Sequence, residues 1–123
     1  MGKPNYEGIV EIIKNENGTA IKYSDGTMIC RKNVPVTNAT IGTNWGGGIY
    51  ISGTLYIGSF AESFIEPPDY TYSWVSKKSA WLMPQGGGSY ESSSAGIALQ
   101  LVSVGSQSGV NGYINVIAVG RWK

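Results

Sequence analysis

Short alternations of apolar and polar residues, broken by glycine-rich and serine-rich turns, recur along this sequence and point to an all-β fold. The sharpest turn signal is Asp25-Gly26, inside "NGTAIKYSDGTMICRKNV" (17–34). A two-residue type I′ turn needs positive φ at both central positions, which glycine takes freely and aspartate tolerates. That turn predicts a hairpin pairing Tyr23 with Met28, Lys22 with Ile29, Ile21 with Cys30 and Ala20 with Arg31. Ile21, Tyr23, Met28 and Cys30 then share an apolar face, and Lys22 and Arg31 share the other. Further strands are expected at 33–41, 48–58, 70–75 and 79–83. The longest, 96–104 and 111–123, are joined by "GSQSG" and are expected to pair near the middle of a sheet. Helical spacing occurs near the start, at Tyr6, Ile9, Val10 and Ile13, where an alternating strand reading is nearly as good.

Composition narrows the chemistry. A chain of 123 residues makes one domain, and 18 glycines with only 14% charged residues describe a weakly charged β-protein. Nine basic and eight acidic residues are scattered, so no basic patch is offered to nucleic acid. The segment "MGKPNYEGIVEII" lacks the long apolar core of a signal peptide or membrane span, so no membrane insertion and synthesis in a cytoplasm, or release from a larger protein, are expected. Cys30 has no partner for an intrachain disulfide. Without histidine, zinc-type ligand sets and an imidazole-activated nucleophile are missing. Glu62 and Glu66, with Asp69 beyond, are the sole candidates for a glycosidase acid pair, but their turn-rich setting, "FAESFIEPPDY", directs them to solvent. The glycine runs 46–48 and 86–88 lack the lysine and hydroxyl of a phosphate loop and read as turns. The expectation is a protein that is not an enzyme and needs no cofactor.

Aromatic residues carry the binding signal: four tryptophans and eight tyrosines exceed what a small core readily absorbs, and their flat faces stack on sugar rings. In "YTYSWV" the period of two puts Tyr70, Tyr72 and Trp74 on one face, which favours core or subunit interface over a ligand platform. Trp45, before "GGG", and Tyr90, within the loop "PQGGGSYESSSAG" (84–96), fall in loop-like sequence. The expected ligand site is therefore Trp45 with its glycine neighbours and Tyr90 with Gln85, Glu91 and Ser92, with Trp74 and Trp81 as secondary choices. Trp122, alternating with Ala118 and Gly120, is expected to be structural.

Three ordered segments, "AIKYSDGTMICRKNV" (20–34), "SFAESFIEPPDYTYSW" (59–74) and "NGYINVIAVGRWK" (111–123), resemble the C-terminal domains of phage and prophage tail-fibre or minor structural proteins, mainly from phages of Gram-positive bacteria. The resemblance spans 20–123 and implies an antiparallel β-sandwich head, usually a homotrimer, at the distal end of a virion tail fibre, where it contacts host cell-surface glycan. Residues 1–17 are then a linker or short helix ending the fibre shaft, with Ile9 and Ile13, or Tyr6 and Val10, towards the threefold axis, and 18–123 the head. Contact loops differ among such tips, so no binding residue carries over, and this chain lacks the histidines of iron-chelating tips. The alternatives are a purely structural trimerising cap of a fibre and a carbohydrate-binding module of a secreted bacterial protein.

Overall fold

The structure, a computed structural model, describes residues 8–84 and 93–123. In chain order the strands are β1 Ile9–Asn15, β2 Gly18–Tyr23, β3 Thr27–Gly46, β4 Ile49–Ser52, β5 Leu55–Tyr56, β6 Asp69–Ser76, β7 Trp81–Pro84, β8 Ala98–Val104 and β9 Gln107–Arg121. All pairings are antiparallel and join the nine strands into one hydrogen-bonded sheet, so the chain is all-β. Its spine is β3 against β9, running from Thr27↔Arg121 to Ile41↔Gln107. β6 lies on the other edge of β9. The opposite edge of β3 carries two partners in succession: β2 against Thr19↔Arg31 to Lys22↔Met28, then β4 from Ile41↔Ser52 onward. β8 follows β4 and also pairs with β5 and β7.

The Asp25-Gly26 hairpin forms with a different register. Gly26 N donates to Tyr23 O at 3.0 Å, closing a turn with Ser24 and Asp25 in its centre, and Gly26 alone takes a left-handed φ of +99°. The loop thus has three residues. The Asp25 carboxylate accepts from Thr27 N at 2.8 Å and from Thr27 Oγ1 at 3.1 Å. The extra loop residue shifts every pair by one: Lys22 faces Met28, Ile21 faces Ile29, and Ala20 faces Cys30. Because side chains alternate, Ala20 and Lys22 join Met28 and Cys30 on the core side, and Ile21 and Tyr23 turn to the outer face.

A lysine on the core side requires partners. Lys22 Nζ meets the Glu11 carboxylate at 3.1 Å and, more closely, that of Glu62, and it lies 5.2 Å from the Trp122 ring centroid. Glu62 is thereby the tie between the 61–68 segment and the hairpin, and not the solvent-facing acid expected from its turn-rich setting. Phe60 and Phe64 from this segment pack edge-to-face, centroids 5.4 Å apart, and close the core over Ala20, Met28 and Ala118.

Two other expectations are corrected. No helix occurs among the described residues; Ile9–Asn15 is a strand, paired Ile12↔Ile21 and Ile13↔Ala20. The cause is the tight turn at 15–18, where Asn17 N donates to Asn15 Oδ1 at 2.8 Å and Gly18 adopts φ +114°. A Cβ at Gly18 would stand 2.2 Å from Arg31 O, so β2 starts there in close contact with β3. The alternating reading of this segment is the correct one: Ile13 packs on the core, and Ile9 and Val10 are exposed. Nor do β8 and β9 pair. Gly105 (φ +77°) turns the chain beneath the β3–β4 hairpin, its N donating to Gly48 O at 2.9 Å, so β9 arrives beyond β4 and β3 and hydrogen-bonds to β3 and β6. β8 and β9 meet through side chains instead, with Leu101 and Val110 buried against Ile41. The "GIYISGTLYIG" segment divides at Gly53 and Thr54 into β4 and β5, whereas 33–41 is the middle of one 20-residue strand that continues through Trp45.

The Glu62 hydrogen bond, reinforced by Glu11 and opposed by desolvation, raises the Lys22 pKa above its ordinary value. A raised folded-state pKa contributes stability that is fully present below the unfolded lysine value of about 10.4 and is lost as pH climbs through the folded value. Urea denaturation followed from about pH 9 upward should show this alkaline loss, and Glu62→Gln should flatten it.

Candidate functional site

Trp45 lies at the end of the molecule opposite the 23–27 turn, where the first described residue, Gly8, accepts from Ser24 N, and Trp122 N donates to Gly26 O. β3 departs from regular pairing at its far end, with register shifts between Ile41 and Thr43 and between Asn44 and Gly46, and Trp45 sits in the second. Gly46, Gly47 and Gly48 follow with φ of +121°, +61° and +84°, a turn in which side chains are strained. Gly46 N donates to Asn44 Oδ1 at 2.9 Å, which fixes the backbone beside the indole. Trp45 is 61% exposed, and nothing lies within 4 Å of where a Cβ would stand on any of the three glycines. The indole is therefore presented at an uncluttered tip. Nearby in register, Val104 opposite Ile49 is 74% exposed.

The remaining expected residues divide. Trp81 is 51% exposed and stands beside Val102, which is buried, in the cross-strand row Ile51, Val102, Trp81 of β4, β8 and β7. Trp74 packs against both core clusters, and its Nε1 is buried with no partner among the described residues. It is a partly buried residue packed on the core. Tyr70 and Tyr72 lie on the same core face, and Tyr70 Oη accepts from Ile97 N at 2.9 Å. Trp122 is structural, donating through Nε1 to Tyr23 O at 2.8 Å. Gln85, Tyr90, Glu91 and Ser92 lie outside the described residues. Pro84, which precedes them, pairs with Leu99, five residues along β8 from the Val104 that faces the Trp45 hairpin, roughly 17 Å at strand rise.

Two open concavities on the outer face of β1, β2, β3, β9 and β6 were not anticipated. One, of about 500 Å³, is lined by Lys14, Thr19, Ile21, Arg31, Asn33 and Asn115 among others. The second, of about 560 Å³, is lined by Val75, Lys77, Lys78, Asn111 and Tyr113. The signal for both is strand parity in "NGYINVIAVGRWK": once Ile114, Val116 and Ala118 are core, Tyr113, Asn115 and Ile117 must face outward.

Glu62 is engaged by Lys22, while Glu66 and Asp69 are exposed. Among the described residues no group of three or more His, Cys, Asp or Glu side chains is placed to hold a metal ion. Burial pushes the Cys30 thiol up, away from the thiolate that a nucleophile needs. Lys32 Nζ donates to the carbonyls of Ile57 and Ser59. No described helix is long and apolar enough to cross a membrane. No protein-family model, curated protein or solved structure matches the chain.

Truncation separates presented from packed tryptophans. Trp45→Ala should leave the free energy of unfolding in urea within about 0.5 kcal/mol of wild type, whereas Trp74→Ala should cost about 3–5 kcal/mol. Equal losses in the two variants would place Trp45 in the core.

Proposed function

We propose that this chain is the distal head of a virion tail fibre, that it trimerises, and that it holds a host cell-surface saccharide without processing it. The observation that carries this reading is Trp45, an exposed indole on a fixed glycine-rich turn, at the end of β3 remote from the strand that follows Gly8. An indole in that position offers a flat apolar face to a sugar ring, and the turn's open backbone leaves room for the ring to approach. A shaft joined through β1 directs such a tip outward. The resemblance of the 20–34, 59–74 and 111–123 segments to tail-fibre heads supports the same reading, including a sandwich-like packing in which Leu101 of β8 meets Val110 of β9 across the core.

Saccharide binding at one such tip is weak, in the range of about 4–7 kcal/mol, and three copies engaging one surface raise the avidity by orders of magnitude.

Adhesion of the purified protein to host cells tests the site. Trp45→Ala should abolish adhesion with an unchanged melting curve; unchanged adhesion would remove Trp45 from the binding surface. Light scattering at micromolar concentration should give the mass of three chains, and a monomer mass would count against the fibre-head reading.

A further inference from the structure

The two outer-face concavities belong to one continuous surface. Pairing in β1, β2, β3, β9 and β6 sets side chains in three successive outward rows. The first is Lys14, Thr19, Arg31, Ile117, Thr71. The second is Asn33, Asn115, Ser73, and the third is Pro35, Tyr113, Val75. Rows two residues apart are roughly 7 Å apart along the strands. Beyond the third row, Lys77 and Lys78 close the far end. The surface thus reads cation, amide and hydroxyl, aromatic, cation over roughly 20 Å.

Each part is positioned. Asn33 Nδ2 donates to Asn115 Oδ1 at 2.9 Å, which leaves Asn33 Oδ1 and Asn115 Nδ2 with no hydrogen bond among the described residues, one acceptor and one donor side by side. Tyr113 has Pro35 and Val75 as lateral neighbours, so its ring is flanked in its row by apolar side chains. Ser76 Oγ donates to Asn111 O at 2.6 Å and accepts from Lys78 N at 3.1 Å, which braces the segment carrying both lysines. The ion pairs among the described residues all involve Lys22, so Lys14, Arg31, Lys77 and Lys78 are uncompensated. None of the three rows contains an acid; Asp69 stands one row outside, opposite Val119.

We propose that this face binds an extended anionic polysaccharide, laid along β9 with acidic groups at the Lys14–Arg31 and Lys77–Lys78 ends, a sugar ring on Tyr113 and hydroxyls on the Asn33–Asn115 pair. Charge complementarity selects this occupant over a second copy of the chain. Both ends of the face are basic, so any twofold docking of the face on itself sets cations against cations. The inference rests on the reading of the protein as a saccharide binder but uses a surface separate from Trp45, so the two fail separately.

Calorimetry with the whole chain against polygalacturonate, dextran sulfate and uncharged dextran decides it, the first two distinguishing carboxylate from sulfate. The expected result is binding of at least one anionic polymer in preference to dextran. Lys77→Ala/Lys78→Ala and Lys14→Ala/Arg31→Ala should each weaken that binding about tenfold or more. Tyr113→Ala should weaken it as well, all at unchanged melting temperature, and Lys77→Arg/Lys78→Arg should restore it. Preference for no anionic polymer, or affinities indifferent to both double variants, overturns the proposal. So does sedimentation showing self-association that Tyr113→Ala abolishes, since a second copy then occupies the face. Host adhesion lost in Trp45→Ala but intact in both double variants overturns this surface and leaves the tip reading standing; the reverse pattern supports this surface and removes the tip.

Discussion

Everything in this fold hangs on β3 having to serve different neighbours along one edge. For its first residues that edge belongs to β2, and for its last to β4, while the other edge is occupied by β9 from Thr27 to Ile41. A straight strand would keep one neighbour. β3 changes partners because its register slips between Val36 and Ala39 and again between Ala39 and Ile41. Asn38 sits in the first slip with φ +53°, and its N donates to Asn111 Oδ1 at 2.7 Å, so β9 itself holds the irregularity in place. Trp74 packs against both core clusters, the one that contains Val36 and the one that contains Ile41.

How much of this was legible follows from what each signal encodes. Alternation located nearly every strand, most clearly where one face packs inward as in β6 and β9, and it set Tyr70, Tyr72 and Trp74 together on the inner face of β6. Turn chemistry placed the Asp25-Gly26 hairpin but not its loop length: the Asp25 carboxylate's bonds to Thr27 favour a loop with Ser24 inside it, and a single residue of loop reversed the facing of β2. Pairing between distant strands was not legible. Nothing local tells β9 to cross to β3 and leave β8, since what brings Leu101 and Val110 into one buried cluster with Ile41 is side-chain packing between distant segments. Of the exposed aromatic side chains, the exposure of Trp45 was legible from its glycine neighbours, whereas that of Tyr113 depends on which residues of the final strand face the core.

The placement of Lys22 shows what that reversal costs and what offsets it. On the outer face it would need no partner; on the core side it recruits Glu11 from β1, Glu62 from the Phe60–Phe64 segment and the Trp122 ring from the chain's last turn. One ammonium thus connects three stretches of chain that share no strand pairing with one another, and it does so at the end of the core that the two phenylalanines close. A hydrocarbon at this position would fill the space without dictating which stretches meet there.

From Lys32 to Thr40, one edge of β3 has no strand beside it among the described residues. An unpaired run of backbone donors and acceptors is a template on which a foreign strand can grow. The chain guards the gap by two means already in place. Pro35, near its centre, has no N–H to offer, and Lys32 folds its charge across the opening onto the Ile57 and Ser59 carbonyls, where burial lowers its pKa. The opening that lets β3 exchange one neighbour for another is thereby kept closed to chains other than its own.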